Sequence, residues 1–384
     1  MVSRAQRTPF AAWWWTVDRP MLAALIALML AGIILSLAAS PSVASRIGLD
    51  PFYFVHRQVM YLVPALVVML GTSFLAPRHI RRIALVVFAV AFVMVLATPF
   101  VGAEVKGARR WIVLFGVNIQ PSEFLKPAFV ILIAWLFAES SKKPEMPANT
   151  LALVMLGATV TALVRQPDFG QTMLIVLVWG ALFFTAGMRV IWVIGLAGTA
   201  AAGLAGAYFT VPYVMRRIQR FLDPASGDTF QIDTAIDAFR HGGWFGRGPG
   251  EGTVKQYLPD AHADFVFAVA AEEFGIVLCL TLLALFCFIV MRALTRAMKS
   301  DDPFARFATA GLAILFGAQS AINMAVNVSL IPAKGMTLPF ISYGGSSIIS
   351  LAYGMGMLIA LTRERPRAGL IASAEQPVLA ASPA

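Results

Sequence analysis

Asp264 stands at the mouth of a long apolar run, in the segment LPDAHADFVFAVAAEEFG (258–275). A carboxylate is costly to keep beside such a run, so its default reading is functional, as a proton acceptor or a cation ligand. Four other short motifs carry the remaining chemistry. IQPSEFLKP (119–127) sets Glu123 and Lys126 three apart, on one helix face where they can pair. RQPDFGQ (165–171) places Arg165 beside Asp168. VKGARRW (105–111) supplies Lys106, Arg109 and Arg110, and IPAKGMTLPFISYGGSS (331–347) supplies Lys334 and Ser342 on an interrupted apolar stretch. Basic groups gathered at headgroup depth suit a lipid phosphate or pyrophosphate, with Arg offering bidentate bonds. Asp264 beside such a pocket could act as general base. Glu123, Lys126, Arg109, Arg110, Asp168, Arg165, Lys334 and Ser342 are then the candidate substrate-binding residues.

Other chemistries find little support. The glycine cluster GRGPGEG (246–252) lacks the GK[ST] ending of a P-loop. There is no HExxH and no GxSxG nucleophile elbow, and His56, His79, His241 and His262 are scattered. Asp260, His262 and Asp264 alternate closely enough to touch a cation, which leaves the metal requirement open. Cys279 and Cys287 lie eight apart in one apolar run, where neither a disulfide nor a metal site is expected. Plainer readings also stand. Glu123 and Lys126 can be a helix-stabilising pair. Glu272 and Glu273, about 12 Å deeper by helical rise, read as structural. Asn323 and Asn327, four apart, suit packing between helices or satisfaction of the interrupted backbone.

The elements that position these groups are membrane helices. Of 384 residues 59% are hydrophobic and only 13% charged, against roughly 25% charged in a soluble domain. The expected fold is an all-α polytopic integral membrane protein. Ten spans are predicted, near 21–41, 59–76, 81–100, 121–138, 150–164, 170–187, 188–210, 264–291, 304–330 and 339–362. Arg78, Arg81, Arg82, Lys142, Lys143, Arg189, Arg292, Arg296, Lys299, Arg363, Arg365 and Arg367 then fall on one side. The positive-inside rule makes that side cytoplasmic, along with both termini (1–20 and 363–384), and puts Asp264 outside. The net charge of +10 reads as this topological signal and not as nucleic-acid binding. Trp13, Trp14 and Trp15 beside Arg19 read as an interfacial belt. Between spans seven and eight lies a long extracytoplasmic loop, 211–263. In it Ile232, Ala235, Ile236 and Phe239 predict an amphipathic helix lying on the membrane, and 246–252 a flexible hinge. The tail after Arg367 reads as disordered.

The five motifs, in this order, resemble the SEDS family (shape, elongation, division and sporulation) over residues 20–365. The wording of VKGA and KGMTLPFISYGGSS is nearer the family's division member than its elongation member. The resemblance implies a ten-helix peptidoglycan glycosyltransferase of the bacterial inner membrane. It would polymerise lipid II at the division septum with a class B penicillin-binding transpeptidase of the FtsI type and other divisome proteins. The family's essential acid falls on Asp264, its paired Glu and Lys on Glu123 and Lys126, and its QPD aspartate on Asp168. Two positions depart: Ala263 stands where Thr is usual, and Gln256 where division members often carry an acid. A single carboxylate still suffices. The implied inversion by single displacement needs only the acceptor hydroxyl deprotonated, if basic residues or a divalent cation (Mg or Mn) hold the leaving pyrophosphate. No other cofactor is required. Alternatives from other classes are a lipid II flippase and a non-catalytic divisome scaffold.

Overall fold

The computed structural model describes residues 8–105, 108–114, 116–143, 145–223, 230–332 and 335–364. Lys106, Lys334 and the tail beyond 364 lie outside the described residues. Thirteen α-helices run in the order α1 (Pro9–Thr16), α2 (Arg19–Arg46), α3 (Tyr53–Ser73), α4 (Pro77–Val101), α5 (Pro121–Lys142), α6 (Ala148–Arg165) and α7 (Phe169–Thr185). Then come α8 (Val190–Thr210), α9 (Pro212–Leu222), α10 (Phe230–Gly242), α11 (Val266–Met298), α12 (Pro303–Asn327) and α13 (Gly345–Thr362). Nine of these described helices are long and apolar enough to cross a membrane. The 17-residue α7 is a shorter apolar helix, about 26 Å at the usual rise and near the lower limit for a span. The ten expected spans correspond to α2 through α8 and α11 through α13, and the chain is a multi-pass membrane protein.

Local chemistry explains several of the helix starts. Asp18 caps α2, Asp168 caps α7 and Asp302 caps α12, each accepting from a backbone N–H of the first turn. Proline in the first turn of α2, α4, α5 and α12 costs nothing there, because those N–H groups have no intrahelical partner. Packing then sorts the helices. α13 is rich in Gly, Ser and Ala, packs along α3, and is buried over almost its whole length. Together with α5 and α12 it forms the centre of the bundle. α8 is as apolar but has no buried residue in its spanning window, so most of its described side chains face outward. A helix apolar all round and uncovered by protein is stable only against hydrocarbon.

The helical fold is as expected, and three details refine it. The α4–α5 connection forms a three-stranded antiparallel sheet, β1 (Ala103–Val105), β2 (Ala108–Leu114) and β3 (Val117–Ile119), turned at Gly116 with φ 77°. The last span starts at Gly345 rather than 339, because the preceding segment is irregular and Phe340 adopts a left-handed φ of 62°. Phe340 is fully buried, with its carbonyl so close to Gly32 that any Cβ there would lie 2.2 Å away.

The third detail concerns the 211–263 connection. α10 turns its apolar face to the protein: Ala235, Ala238 and Gly242 are buried where it packs on α11. The glycine-rich stretch after it is no hinge. α11 is interrupted at Gly275 (φ 79°, ψ 178°), and residues 243–248 fill the interruption. Arg247 and Gly248 amides donate to the Glu272 and Glu273 carbonyls at 2.9 and 3.0 Å, while Ile276 and Val277 donate to Gly243 and Trp244 at 2.9 and 3.2 Å. Backbone groups freed by a break inside an apolar helix must find partners, and the connection provides them.

Candidate functional site

Asp264 sits in the turn that precedes α11, partly exposed, at the end of the bundle shared by the sheet, the α6–α7 turn and the 335–344 segment. Its main chain is held from two sides. Asn323 and Asn327, one turn apart on α12, both donate to the Asp264 carbonyl, at 3.0 and 2.9 Å. Asn323 also donates to the Met336 carbonyl at 2.6 Å, and Asn327 accepts from the Ala268 amide at 3.1 Å. The two asparagines therefore satisfy interrupted backbone, beyond merely packing between helices. On the other side Ser342 donates to the Ala263 carbonyl and accepts from the Leu338 amide, and the Tyr343 amide donates to the His262 carbonyl at 2.9 Å. Ser342 thus braces the turn through its backbone. Gly335, with φ 59°, lies against the Asp264 carboxylate.

Glu123 and Lys126 pair on the first turns of α5 at 2.9 Å, both deeply buried. Glu123 accepts from Gln171 at 2.6 Å and from Ser347 at 3.1 Å. Lys126 donates to Gln319 at 3.0 Å, Gln319 to the Thr337 carbonyl at 3.1 Å, and the Thr337 hydroxyl meets Ser347 at 2.9 Å. The bonds close a ring through α5, α12, the 335–344 segment and α13, with Gln171 of α7 joined to it at Glu123. A mostly apolar cavity of about 20 Å³ adjoins it, lined by Lys126, Gln319, Leu312 and Phe316, and has room for one water. Gln319 connects this ring to the asparagines, since 319, 323 and 327 share one face of α12. That polar stripe at four-residue spacing was present in the sequence, and only its last two members were recognised there.

The remaining candidates lie nearer the rim. Asp168 caps α7 and accepts from Gln120 at 3.3 Å. Burial pushes its carboxyl above the usual range, and the Arg110 guanidinium pulls the other way. Arg110 donates to the Gln166 and Pro167 carbonyls at 3.3 and 2.6 Å, so it braces the turn that carries Asp168. Arg109 pairs with Glu104 at 3.5 Å on the exposed sheet, and Arg165 is exposed at the end of α6. Lys334 lies outside the described residues. Glu272 and Glu273 are structural, as expected, and their partner is Lys255. Glu272 accepts from the Val254 and Lys255 amides at 2.7 and 2.8 Å, while the Lys255 ammonium meets Glu273 and the Ala38 carbonyl. Nothing in the local sequence marks Lys255, which is one of several cations in a polar connection.

The arrangement couples one partly exposed carboxylate on a rigid turn to a buried, hydrogen-bonded ion pair behind it. The same overall fold occurs in solved proteins. The chain superposes on the structure titled "Structural coordination of polymerization and crosslinking by a peptidoglycan synthase complex" with a TM-score of 0.75 at 24% identity, covering 90% of this chain and 97% of that one. The crystal structure of Thermus thermophilus rod shape determining protein RodA matches with a TM-score of 0.66 at 24% identity, over 91% and 97% of the two chains. In sequence, the "Probable peptidoglycan glycosyltransferase FtsW" of Caulobacter vibrioides is 47% identical over 367 residues, 95% of this chain and 94% of the relative. The protein of the same name from Trichlorobacter lovleyi is 34% identical over 357 residues, 90% and 93% of the two. The family model for FtsW, RodA and SpoVE, described as "Cell cycle protein", matches residues 19–367. This chain belongs to that family.

Proposed function

We propose that this protein is a peptidoglycan glycosyltransferase that polymerises lipid II during cell division, with Asp264 as its general base. The observation that carries the reading is the Asp264 turn. A carboxylate whose main chain is fixed by Asn323, Asn327 and Ser342 is pre-positioned, while its side chain remains partly exposed to a substrate. The Asp264 carboxylate takes the proton from the acceptor hydroxyl. That oxygen attacks the anomeric carbon of the donor, and the lipid pyrophosphate leaves with the bonding pair. One displacement inverts the donor's α linkage to β, and the pyrophosphate needs no proton if its charge is held by basic groups. Arg165 and Arg109 at the rim, together with Lys334, would attract it, while Glu123, Lys126 and Asp168 fix the wall behind. Among the described residues no three His, Cys, Asp or Glu side chains converge on a cation site. Mg²⁺ or Mn²⁺ accompanying the pyrophosphate would be held mainly by substrate oxygens.

The names of the relatives support the activity, and the likeness to a complex that polymerises and crosslinks peptidoglycan supports a transpeptidase partner, which we take to be of class B. Alternating crossings place Asp264 at the end opposite the basic connections after α3, α5, α7 and α11, which supports an active site facing the periplasm. With purified protein, its transpeptidase and labelled lipid II, Asp264→Asn abolishes glycan polymer while folding and partner binding persist. Polymerisation by that variant at near the wild-type rate would remove Asp264 as base. Orientation has its own check. A cysteine at the exposed Tyr257, in a chain lacking Cys279 and Cys287, reacts with an impermeant thiol reagent from outside intact spheroplasts; protection there would invert the topology.

A further inference from the structure

At the Asp264 end, the first turns of α3 pack against both turns that frame Asp264. The Phe54 ring lies 4.1 Å, centroid to centroid, from the His262 imidazole and meets Tyr343 edge-on at 5.3 Å; His262 and Tyr343 are 5.4 Å apart. Gln58 donates to the Ile341 carbonyl at 3.5 Å. At this junction Arg57 lies against the Tyr343 hydroxyl, with its guanidinium 5.1 Å above the Tyr53 ring.

The state of this guanidinium differs from that of its counterparts. Arg110 is taken up by two carbonyls, Arg109 by Glu104, and Arg292 and Arg296 by Asp18. Among the described residues no carboxylate pairs with Arg57. A guanidinium carries five N–H donors, more than the Tyr343 hydroxyl beside it can take up. A partly buried cation with spare, fixed donors beside aromatic faces has the chemistry of a sugar-phosphate subsite: guanidinium for the phosphate oxygens, rings for the apolar face of the sugar. The Tyr343 amide binds the His262 carbonyl, two residues before Asp264, so the subsite and the carboxylate belong to one rigid unit.

We propose that Arg57 and Tyr343, walled by Tyr53 and His262, form an anion subsite for the phosphate of the lipid-linked saccharide next to Asp264. This rests on the polymerase reading above and gives it a phosphate-binding cation, Arg57, that lies outside the five sequence motifs. A phosphate could come from the substrate or from a surrounding phospholipid headgroup, and the test separates them. Arg57→Ala, Arg57→Lys and Tyr343→Phe are each reconstituted in vesicles of phosphatidylcholine alone and in vesicles with added phosphatidylglycerol. KM for lipid II and the affinity for a short-chain prenyl pyrophosphate are then measured. Arg57→Ala weakens probe binding and raises KM by about tenfold in both vesicle types, with most of the loss in KM. Lysine, which cannot form the bidentate contact, recovers only part of it, and Tyr343→Phe has the smaller effect. Wild-type affinity in Arg57→Ala overturns the subsite, and an effect confined to phosphatidylglycerol vesicles reassigns Arg57 to membrane headgroups. Because probe binding needs no turnover, Asp264→Asn should retain it. An active Asp264→Asn would therefore break the base assignment and leave the Arg57 result to be judged separately.

Discussion

Two buried Glu–Lys pairs among the described residues differ in almost everything but their chemistry. Glu123 and Lys126 are three residues apart on one helix, and each is bonded to further side chains, so the pair ties four helices together. Glu273 and Lys255 come from a helix and a connection 18 residues apart, and one Glu273 oxygen has no hydrogen-bond partner among the described residues. Removing two charges from water costs several kcal/mol each, and the attraction between them repays this only when the remaining lone pairs and protons are also satisfied. The first pair meets that condition and belongs to the centre of the bundle. The second acts as a staple that fastens the 243–263 segment to α11 and α2, directly upstream of Asp264.

The comparison breaks first at Lys126. Lys126→Met leaves the Glu123 carboxylate buried without its cation and is expected to destabilise the protein by about 3–5 kcal/mol. Chemical denaturation in detergent should show most of that loss recovered in the double variant with Glu123→Gln, where no charge is stranded. Lys255→Met strands Glu273 in the same way, but here the connection can open locally, which caps the global loss below that of Lys126. Its larger effect is expected in turnover, on the order of tenfold or more in kcat, because the turn bearing Asp264 loses its upstream anchor. If Lys255→Met instead costs as much global stability as Lys126→Met with kcat intact, the staple has been misread.

The same contrast explains what was legible in the sequence. Glu123–Lys126 could be read because helical spacing alone brings the two together, and Asp264 because a carboxylate at the mouth of an apolar run is rare. The ten spans followed from length and hydropathy. Lys255 was invisible, since its partners Glu273 and Ala38 are supplied by tertiary structure. The interruption of α11 at Gly275 was hidden because the apolar run continues straight through it. The sheet between α4 and α5 was missed because its outer strands span only three residues each, too short for an alternating pattern to emerge. Arg57 carries no signal in the sequence, because Tyr343, far along the chain, is brought against it only by the fold.

A third buried carboxylate, at the opposite end of the bundle, sharpens the comparison with the smallest expected effect. Asp18 meets Arg292 at 2.7 Å and Arg296 at 3.1 Å, joining α2 to the end of α11. Burial alone would raise its carboxyl, but bonds from Arg292, the Met21 amide and Arg296 outweigh this and hold it below its ordinary value of 3.8. A depressed folded-state pKa means that the charged form is preferred in the native protein. The stabilisation is therefore complete above the ordinary value and fades as pH falls through the folded one. Asp18→Asn keeps an acceptable N-cap for α2, so it isolates the ionic contribution. The expected loss at neutral pH is about 1.5–3 kcal/mol, since charged hydrogen bonds are replaced by neutral ones and both arginines are partly exposed to screening. The gap between wild type and variant should hold steady from neutral pH down to about pH 4 and narrow below that. A gap that stays flat on acidification would show that Asp18 acts as a cap alone, and the two arginines would then be surface charges that only happen to face it.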